Sequence, residues 1–308
     1  MSTGKPSPFI FEAGVPTLRS PHVLACLTPW VDVGSVGSAT LTELETHLNA
    51  KPLAKLAKPG MFFDFTRYRP NSFFRNGERE IELPNTVLRY AIADGDNDHD
   101  FIFMHLLEPH AHGEDYVDAI LQLLLSLGVK RYMQVGAMYD VVPHTRPLLV
   151  SGQSSDPATH KRLEERYGVR RSRYEGPTSI MSSLTRDTSA RGIEYVSLLA
   201  RLPQYAPVEE DQAGKLKMLE AVSDLYSLPL DLGDLRERAE QQLVQMNSAV
   251  DQNPQLRRAL EQLEQRYDAR QARRMHPQEP SAATQTEQTQ LPPAIEQFLR
   301  ELDDKPKG

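Results

Sequence analysis

Cysteine and tryptophan are almost missing from this sequence: Cys26 and Trp30 are the single representatives in 308 residues, and aromatics make up 7%. One cysteine excludes an intrachain disulfide. Its apolar setting, Val23-Leu-Ala-Cys-Leu27, suits a small buried hydrophobe, so a reducing cytoplasm is the expected compartment. Basic residues are short as well, with 35 Lys plus Arg against 42 Asp plus Glu and a formal net charge of −7. Counterion-driven nucleic-acid binding needs the opposite balance, so no nucleic-acid partner is expected. No uncharged apolar run approaches the roughly 18 residues of a membrane helix, even around Ala119–Leu127. Met1–Pro8 leads to Glu12 and prolines instead of an apolar core, so no signal peptide is predicted.

What is present alternates between two textures. Pro21–Leu27 is a short apolar run bounded by proline, as expected of a strand buried on both faces of a parallel sheet. Ser35 or Ser38 can cap a helix in which Ala39, Leu41, Leu44 and Leu48 recur before Pro52. After a polar turn come the strand Phe101–Leu107, a helix over 114–127 with Gly128 at its C-cap, and the strand Arg131–Ala137. A helix near Pro157–Tyr167, a strand near Val169–Arg173, a helix near Thr178–Ala190 and a strand from Ile193 to Leu199 continue the series. Strands separated by such helices predict an α/β fold with a mostly parallel sheet and helices on both faces.

Two stretches break the alternation. Asn76-Gly77 lies between Asn71-Ser-Phe-Phe-Arg and Arg79-Glu-Ile-Glu-Leu83, and Asn-Gly between extended segments is the strongest short-range hairpin signal. A hairpin over about 70–84 follows, before a strand near Val87–Ala93. Phe73 and Phe74 are adjacent, so they point to opposite faces, and a thin hairpin cannot cover both. They are therefore candidate oligomerisation residues. Beyond Pro207 only helical pattern remains, through about residue 274. Leu235, Ala239, Leu243, Met246 and Val250 form one stripe, and Leu256, Leu260, Leu263 and Tyr267 a second after the Asn253-Pro254 start signal. Residues 275–294, with four prolines, four glutamines and no aromatic, predict disorder, and Pro293–Leu302 adds a short amphipathic segment with Ile295, Phe298, Leu299 and Leu302 on one face. The expected organisation is an extension over 1–20, an α/β core over 21–207, a helical arm over 208–274 and a tail over 275–308.

Candidate chemistry collects at the ends of the predicted strands, where loops converge in open α/β sheets. Trp30, Asp32 and Gly34 follow the first strand, although neither a Gly-x-Gly-x-x-Gly nor a P-loop pattern is present. Glu108 stands after a central strand, with His110 and His112 close by but no separated third ligand motif, so no metal is expected. Gly136 starts a stretch leading to His144 and Arg146, which either bind an anion or hold a proline-braced loop. Asp94–Asp100 has carboxylates at alternate positions but carries His99 and His105 where a calcium loop needs Gly and Glu. Ser151-Gly-Gln-Ser154 lacks the helix that should follow a nucleophile elbow.

Six short motifs, in order, carry a family resemblance: Trp30-Val-Asp-Val-Gly-Ser-Val-Gly37, Tyr68-Arg-Pro70, Val142-Pro-His-Thr-Arg-Pro147, Tyr174-Glu-Gly-Pro177, Leu202-Pro-Gln-Tyr-Ala-Pro207 and Leu263-Glu-Gln-Arg-Tyr-Asp268. Through them the chain, from about Pro21 to Arg270, resembles the bacterial, actinobacterial-type branch of the proteasome assembly chaperone 2-like family. The resemblance implies a three-layer α/β/α core similar to purine nucleoside phosphorylases, an inserted hairpin, a C-terminal helical region over the pocket, and homo-oligomers, a trimer being the expected form. It implies no cofactor and no defined activity. Archaeal relatives engage proteasomes through a C-terminal hydrophobic-Tyr-any motif, whereas this chain ends Asp303-Asp-Lys-Pro-Lys-Gly308. Two functions are therefore in contention. One is a non-catalytic, oligomeric assembly or binding protein whose partner is itself or another protein. The other is an enzyme or binding protein for a nucleoside-like or anionic small molecule, in a pocket lined by Trp30, Asp32, Gly34, Glu108, Gly136, His144 and Arg146.

Overall fold

The computed structural model describes residues 8–93, 98–171 and 175–275; the acidic turn at 94–97 and the predicted tail fall outside them. In chain order the strands are β1 (Phe9–Phe11), β2 (His22–Thr28), β3 (Lys51–Leu56), β4 (Asn71–Arg75), β5 (Glu78–Glu82), β6 (Val87–Ala91), β7 (Phe101–Leu107), β8 (Arg131–Asp140), β9 (Leu149–Ser154) and β10 (Glu194–Pro203). The helices are α1 (Val36–His47), α2 (Gly113–Ser126), α3 (Pro157–Tyr167), α4 (Met181–Ala190), α5 (Gln212–Tyr226), α6 (Gly233–Asp251) and α7 (Pro254–Met275).

Eight strands form one sheet in the order β1-β3-β6-β7-β2-β8-β10-β9, and among the described residues β4 pairs only with β5. The four central strands β7, β2, β8 and β10 are parallel; β6, β3 and β1 continue antiparallel on one side, and β9 closes the other. The apolar runs predicted as buried strands are these central ones, since a strand covered on both faces has no polar side to show. On one face Val23, Ala25 and Leu27 of β2 pack with Tyr116, Ile120 and Leu124 of α2 and Leu184 of α4. On the other face Leu24 and Cys26 pack with Leu41 and Leu44 of α1 and with Met218, Leu219 and Val222 of α5. The result is an α/β/α sandwich.

Several predicted elements are corrected. β1, β3 and β9 are strands that the pattern did not announce. Of the segment Val169–Arg173, predicted as a strand, residues 172 and 173 lie outside the described residues, and the described part makes a single bridge from Arg170 to Ser151. Pro52 does not stop α1; the helix ends at His47, Asn49 turns the chain at φ 52°, and Pro52 sits inside β3. Neither Ser35 nor Ser38 caps α1 with its side chain; Asp32 Oδ1 accepts from the Ser38 N–H at 2.9 Å instead. The hairpin stands as predicted, with positive φ at Asn76 (52°) and Gly77 (85°), the two positions that a type I′ turn requires. The predicted helical region divides: α5 belongs to the core layer on α1, α6 joins that core at its start through Leu235, and the end of α6 and α7 close a small third cluster of Val250, Leu256, Ala259, Leu260 and Leu263 around Tyr205.

Candidate functional site

The loops after β2, β7, β8 and β10 do gather at one end of the sheet, but the candidate residues fall into three groups there. Asp32, Gly34 and Gly136 form the first. The chain beyond β2 adds a bridge to β8, Asp32 to Ala137, with the Ala137 N–H donating to Val31 O at 2.8 Å. Gly136 is needed because a Cβ there would lie 2.1 Å from Val31 O. Gly34, at φ 59°, lets α5 approach: its carbonyl accepts from the Asp211 N–H at 2.8 Å, and a Cβ would meet Asp211 Cβ at 2.8 Å. Asp211 in turn caps α5 through Oδ1 and the Gly214 N–H at 2.7 Å. Asp32 and Asp211 therefore each hold a helix N-terminus, and burial pushes both carboxyls above the usual range. Trp30, beside this group, is 54% exposed.

Glu108 stands apart on the other side of the sheet. Its Oε1 accepts from the Ile180 N–H at 3.1 Å at the start of α4, and its carbonyl accepts from Tyr68 Oη at 3.1 Å. Glu108 Oε2 is buried with no hydrogen-bond partner among the described residues, and burial raises the carboxyl. His110 is used locally, accepting from the Asp64 N–H through Nδ1 at 3.1 Å. No group of three or more His, Cys, Asp or Glu among the described residues could hold a metal.

His144 and Arg146 form the third group, and their partners come from far along the chain. Asn247 Oδ1, an acceptor, takes the His144 Nε2–H at 3.1 Å, so in the neutral ring Nδ1 accepts from Tyr205 Oη, which itself accepts from the His144 backbone N–H at 2.9 Å. Burial depresses the imidazole. Arg146 grips Asp268 with Nε at 2.9 Å and Nη2 at 2.8 Å, and reaches Glu264 Oε1 with Nη1 at 3.2 Å. Thr145 donates to the same Glu264 oxygen, and Tyr267 Oη donates to Pro147 O at 2.9 Å. The strap 142–147 is thus the rail on which the α6–α7 arm is fastened. It also walls a cavity of about 280 Å³ bounded by the end of β10, α5 and α6. His144 and Arg146 line that cavity, whereas Trp30, Asp32, Gly34, Glu108 and Gly136 do not.

Sequence reasoning singled out Arg146 and His144 but not what they meet. Tyr205, Glu264 and Asp268 were nevertheless in view as members of two other motifs, and the structure joins those motifs to the strap. One further cluster had no sequence signal: His105 Nε2 donates to Glu45 Oε1 at 2.6 Å, while its Nδ1 lies 3.7 Å from Cys26 Sγ. The order resembles a thiol–imidazole–carboxylate relay. Cys26 is fully buried, however, and burial pushes its thiol far up, so no thiolate is available to attack.

Together these features define a three-layer α/β/α protein that carries a free-standing hairpin and a strapped helical arm, with its strand-end polar residues engaged in caps and fasteners. The chain belongs to the PAC2 family, whose model matches residues 26–250. Its fold is similar to that of a PAC2 family protein from Streptomyces avermitilis, at 28% identity and a TM-score of 0.68 over 75% of this chain and 96% of that one. It is also similar to a Mycobacterium tuberculosis proteasome-assembly chaperone homologue (24% identity, TM-score 0.67, 77% and 98% covered). A third likeness is to PbaB, an archaeal proteasome activator from Pyrococcus furiosus (20%, 0.59, 78% and 97%). No curated protein matches the sequence.

Proposed function

We propose that this protein is a non-catalytic, self-associating assembly or binding protein, trimeric in solution, whose β4–β5 hairpin supplies the contact between copies. The observation that carries the reading is the exposed apolar pair on one face of the hairpin, where the Arg79 guanidinium lies 5.3 Å over one side of the Phe74 ring. In its register Ser72 faces Ile81 and Phe74 faces Arg79, so Phe74 and Ile81 share one face, and they are 69% and 65% exposed. Among the described residues the hairpin pairs with no other strand, and an isolated two-stranded ribbon is marginal in water until something packs on it. Phe73 lies on the opposite, acidic face with Glu80 and is half-buried, so of the two candidate phenylalanines Phe74 is the one offered outward. The assignment of the Mycobacterium relative as a proteasome-assembly chaperone homologue and of PbaB as a proteasome activator favours protein partners over a substrate. So does the engagement of Asp32, His144 and Arg146 in internal contacts, which leaves none of these three free to act as an acid or base on a substrate.

The test is the solution mass of the full chain by sedimentation velocity and native mass spectrometry. Phe74→Glu combined with Ile81→Glu is expected to reduce a trimer to monomer while the far-ultraviolet circular dichroism stays unchanged. An unchanged oligomer mass in that variant overturns the hairpin contact, and a monomeric parent protein overturns self-association.

A further inference from the structure

Three polar rings from three separate segments meet where β2, β7 and β8 begin. His22 is the first residue of β2, His99 stands two residues ahead of β7, and Tyr226 is the last residue of α5. The imidazoles stack at 4.1 Å with 16° between their planes, and the Tyr226 ring closes on both, 5.7 Å from His22 and 5.4 Å from His99. Phe101 meets His99 and Tyr226 edge-on at 5.0 and 5.1 Å. Each polar ring has a buried atom, His22 Nδ1, His99 Nε2 and Tyr226 Oη, with no hydrogen-bond partner among the described residues. Buried polar atoms are paired in the large majority of cases, so three such atoms in one ring contact single this place out.

The contact is compatible with neutral rings and not with charged ones. His99 Nδ1 lies 2.9 Å from Asp98 Oδ1, so the proton of its neutral ring stays on Nδ1 and a further proton must go to the buried Nε2. A proton on His22 as well sets two like charges 4.1 Å apart, and the Arg131 guanidinium, 5.6 Å from the Tyr226 ring, adds a third. The carboxylates nearby are engaged or in solvent: Glu194 holds Arg131 at 2.8 Å, Asp100 holds Arg19 at 2.8 Å, and Asp98 is 97% exposed. β2 is paired on both sides at His22, to Phe101 and to Arg131, so the strand ends part only if the ladder breaks. The last turn of α5 is freer. Its ion pairs to α3, from Asp224 to Arg162 at 3.5 Å and to Arg166 at 2.9 Å, use exposed arginines and contribute little. Directly after Tyr226 the chain turns at Ser227, φ 53°, and runs through Leu228, Leu230 and Leu232 to the start of α6 at Gly233.

We propose that the His22–His99 stack is a proton-operated latch on the root of the arm: protons entering the pair release Tyr226 and the last turn of α5, and with them the link over 228–232 to α6. This inference does not depend on the hairpin contact, because the two share no residue.

The test is native-state amide exchange of the full chain at pH 7.5 and pH 5, without urea and in about 1 M urea, read as protection factors so that the intrinsic pH dependence of exchange cancels. With His22 at about 3 in the latched form and about 6.5 once released, the open form gains roughly thirtyfold at pH 5 over pH 7.5. Protection over 223–228 is expected to fall by that factor on acidification, equally with and without urea, because a local opening exposes little surface. Amides of α2 should stay better protected than 223–228 and lose protection as urea is added, as global unfolding requires. His22→Gln should remove the acid-induced loss over 223–228. Equal and urea-dependent exchange in α5 and α2 at pH 5 overturns the latch. So does protection over 223–228 that is unchanged at pH 5, or that falls as far in His22→Gln as in the parent chain.

Discussion

His22 opens β2 at the end of the sheet remote from the strap, and its surroundings make it a proton-sensitive point. Its ring stacks on His99 at 4.1 Å and lies 5.7 Å from the Tyr226 ring, and its Nδ1 finds no hydrogen-bond partner among the described residues. Burial first, then His99 and Arg131, hold the imidazole down at about 3, with Asp98 opposing. A folded-state value below the unfolded one of about 6.5 means that the unfolded chain binds more protons between those limits, so stability rises with pH across that window. His22 thus contributes fully above about pH 6.5 and progressively less toward pH 3. Urea midpoints measured at pH 7.5 and pH 5 should fall on acidification, and His22→Gln should flatten the dependence while lowering the pH 7.5 midpoint less. A slope unchanged by that substitution assigns the acid sensitivity elsewhere.

Among the elements, the outer part of the arm rests on a small cluster, Tyr205 with Val250, Leu256, Ala259, Leu260 and Leu263 among the described residues, and on long-range side-chain bonds. Arg146 and Asp268 are 122 positions apart in the chain, and His144 and Tyr205 are 61 apart. Removing the Tyr205 hydroxyl leaves a half-buried imidazole nitrogen without its partner, at a cost of about 1 kcal/mol. Tyr205→Phe and Arg146→Ala are therefore expected to speed amide exchange in α7 while α2 and β8 keep their protection, because local opening follows the weakest contacts. If exchange in α7 is no faster than in the parent chain, the strap is not what fastens the arm. The same contacts explain how much was legible. The central strands, α2, α3, the Asn76-Gly77 turn and the Asn253 cap, which accepts from Gln255 N–H at 3.0 Å, are written in local patterns of apolar spacing and cap chemistry. β3 reads Lys-Pro-Leu-Ala-Lys-Leu and β9 reads Leu-Val-Ser-Gly-Gln-Ser, compositions that no propensity favours as strands. They are strands because neighbours pair with them; at Gly152, for instance, a Cβ would lie 2.0 Å from Ser197 O on β10. The individual roles of His144 and Arg146 were not legible, since local spacing gives no means of pairing residues 60 or more apart. Their motif was visible, and so were the motifs holding Tyr205 and Asp268. What the sequence concealed is that the three meet.

At the scale of the whole molecule the net charge of −7 and the apolar hairpin face make opposing demands on association. Like-charged copies repel at long range, and that repulsion is screened as the Debye length shrinks from about 10 Å at 0.1 M salt to about 3 Å at 1 M. Burial of Phe74 and Ile81 is not weakened by salt, because removal of apolar surface from water involves no charge. If the hairpin joins the copies, raising sodium chloride from 0.1 M to 1 M should leave the oligomer intact or tighten it, read as a sedimentation coefficient that holds or rises at low protein concentration. If copies are joined instead through charged side chains of the arm, such as the exposed Arg257–Asp251 pair, the same change should dissociate them. The sign of the salt effect therefore separates an interface on the hairpin from one on the arm before any residue is replaced.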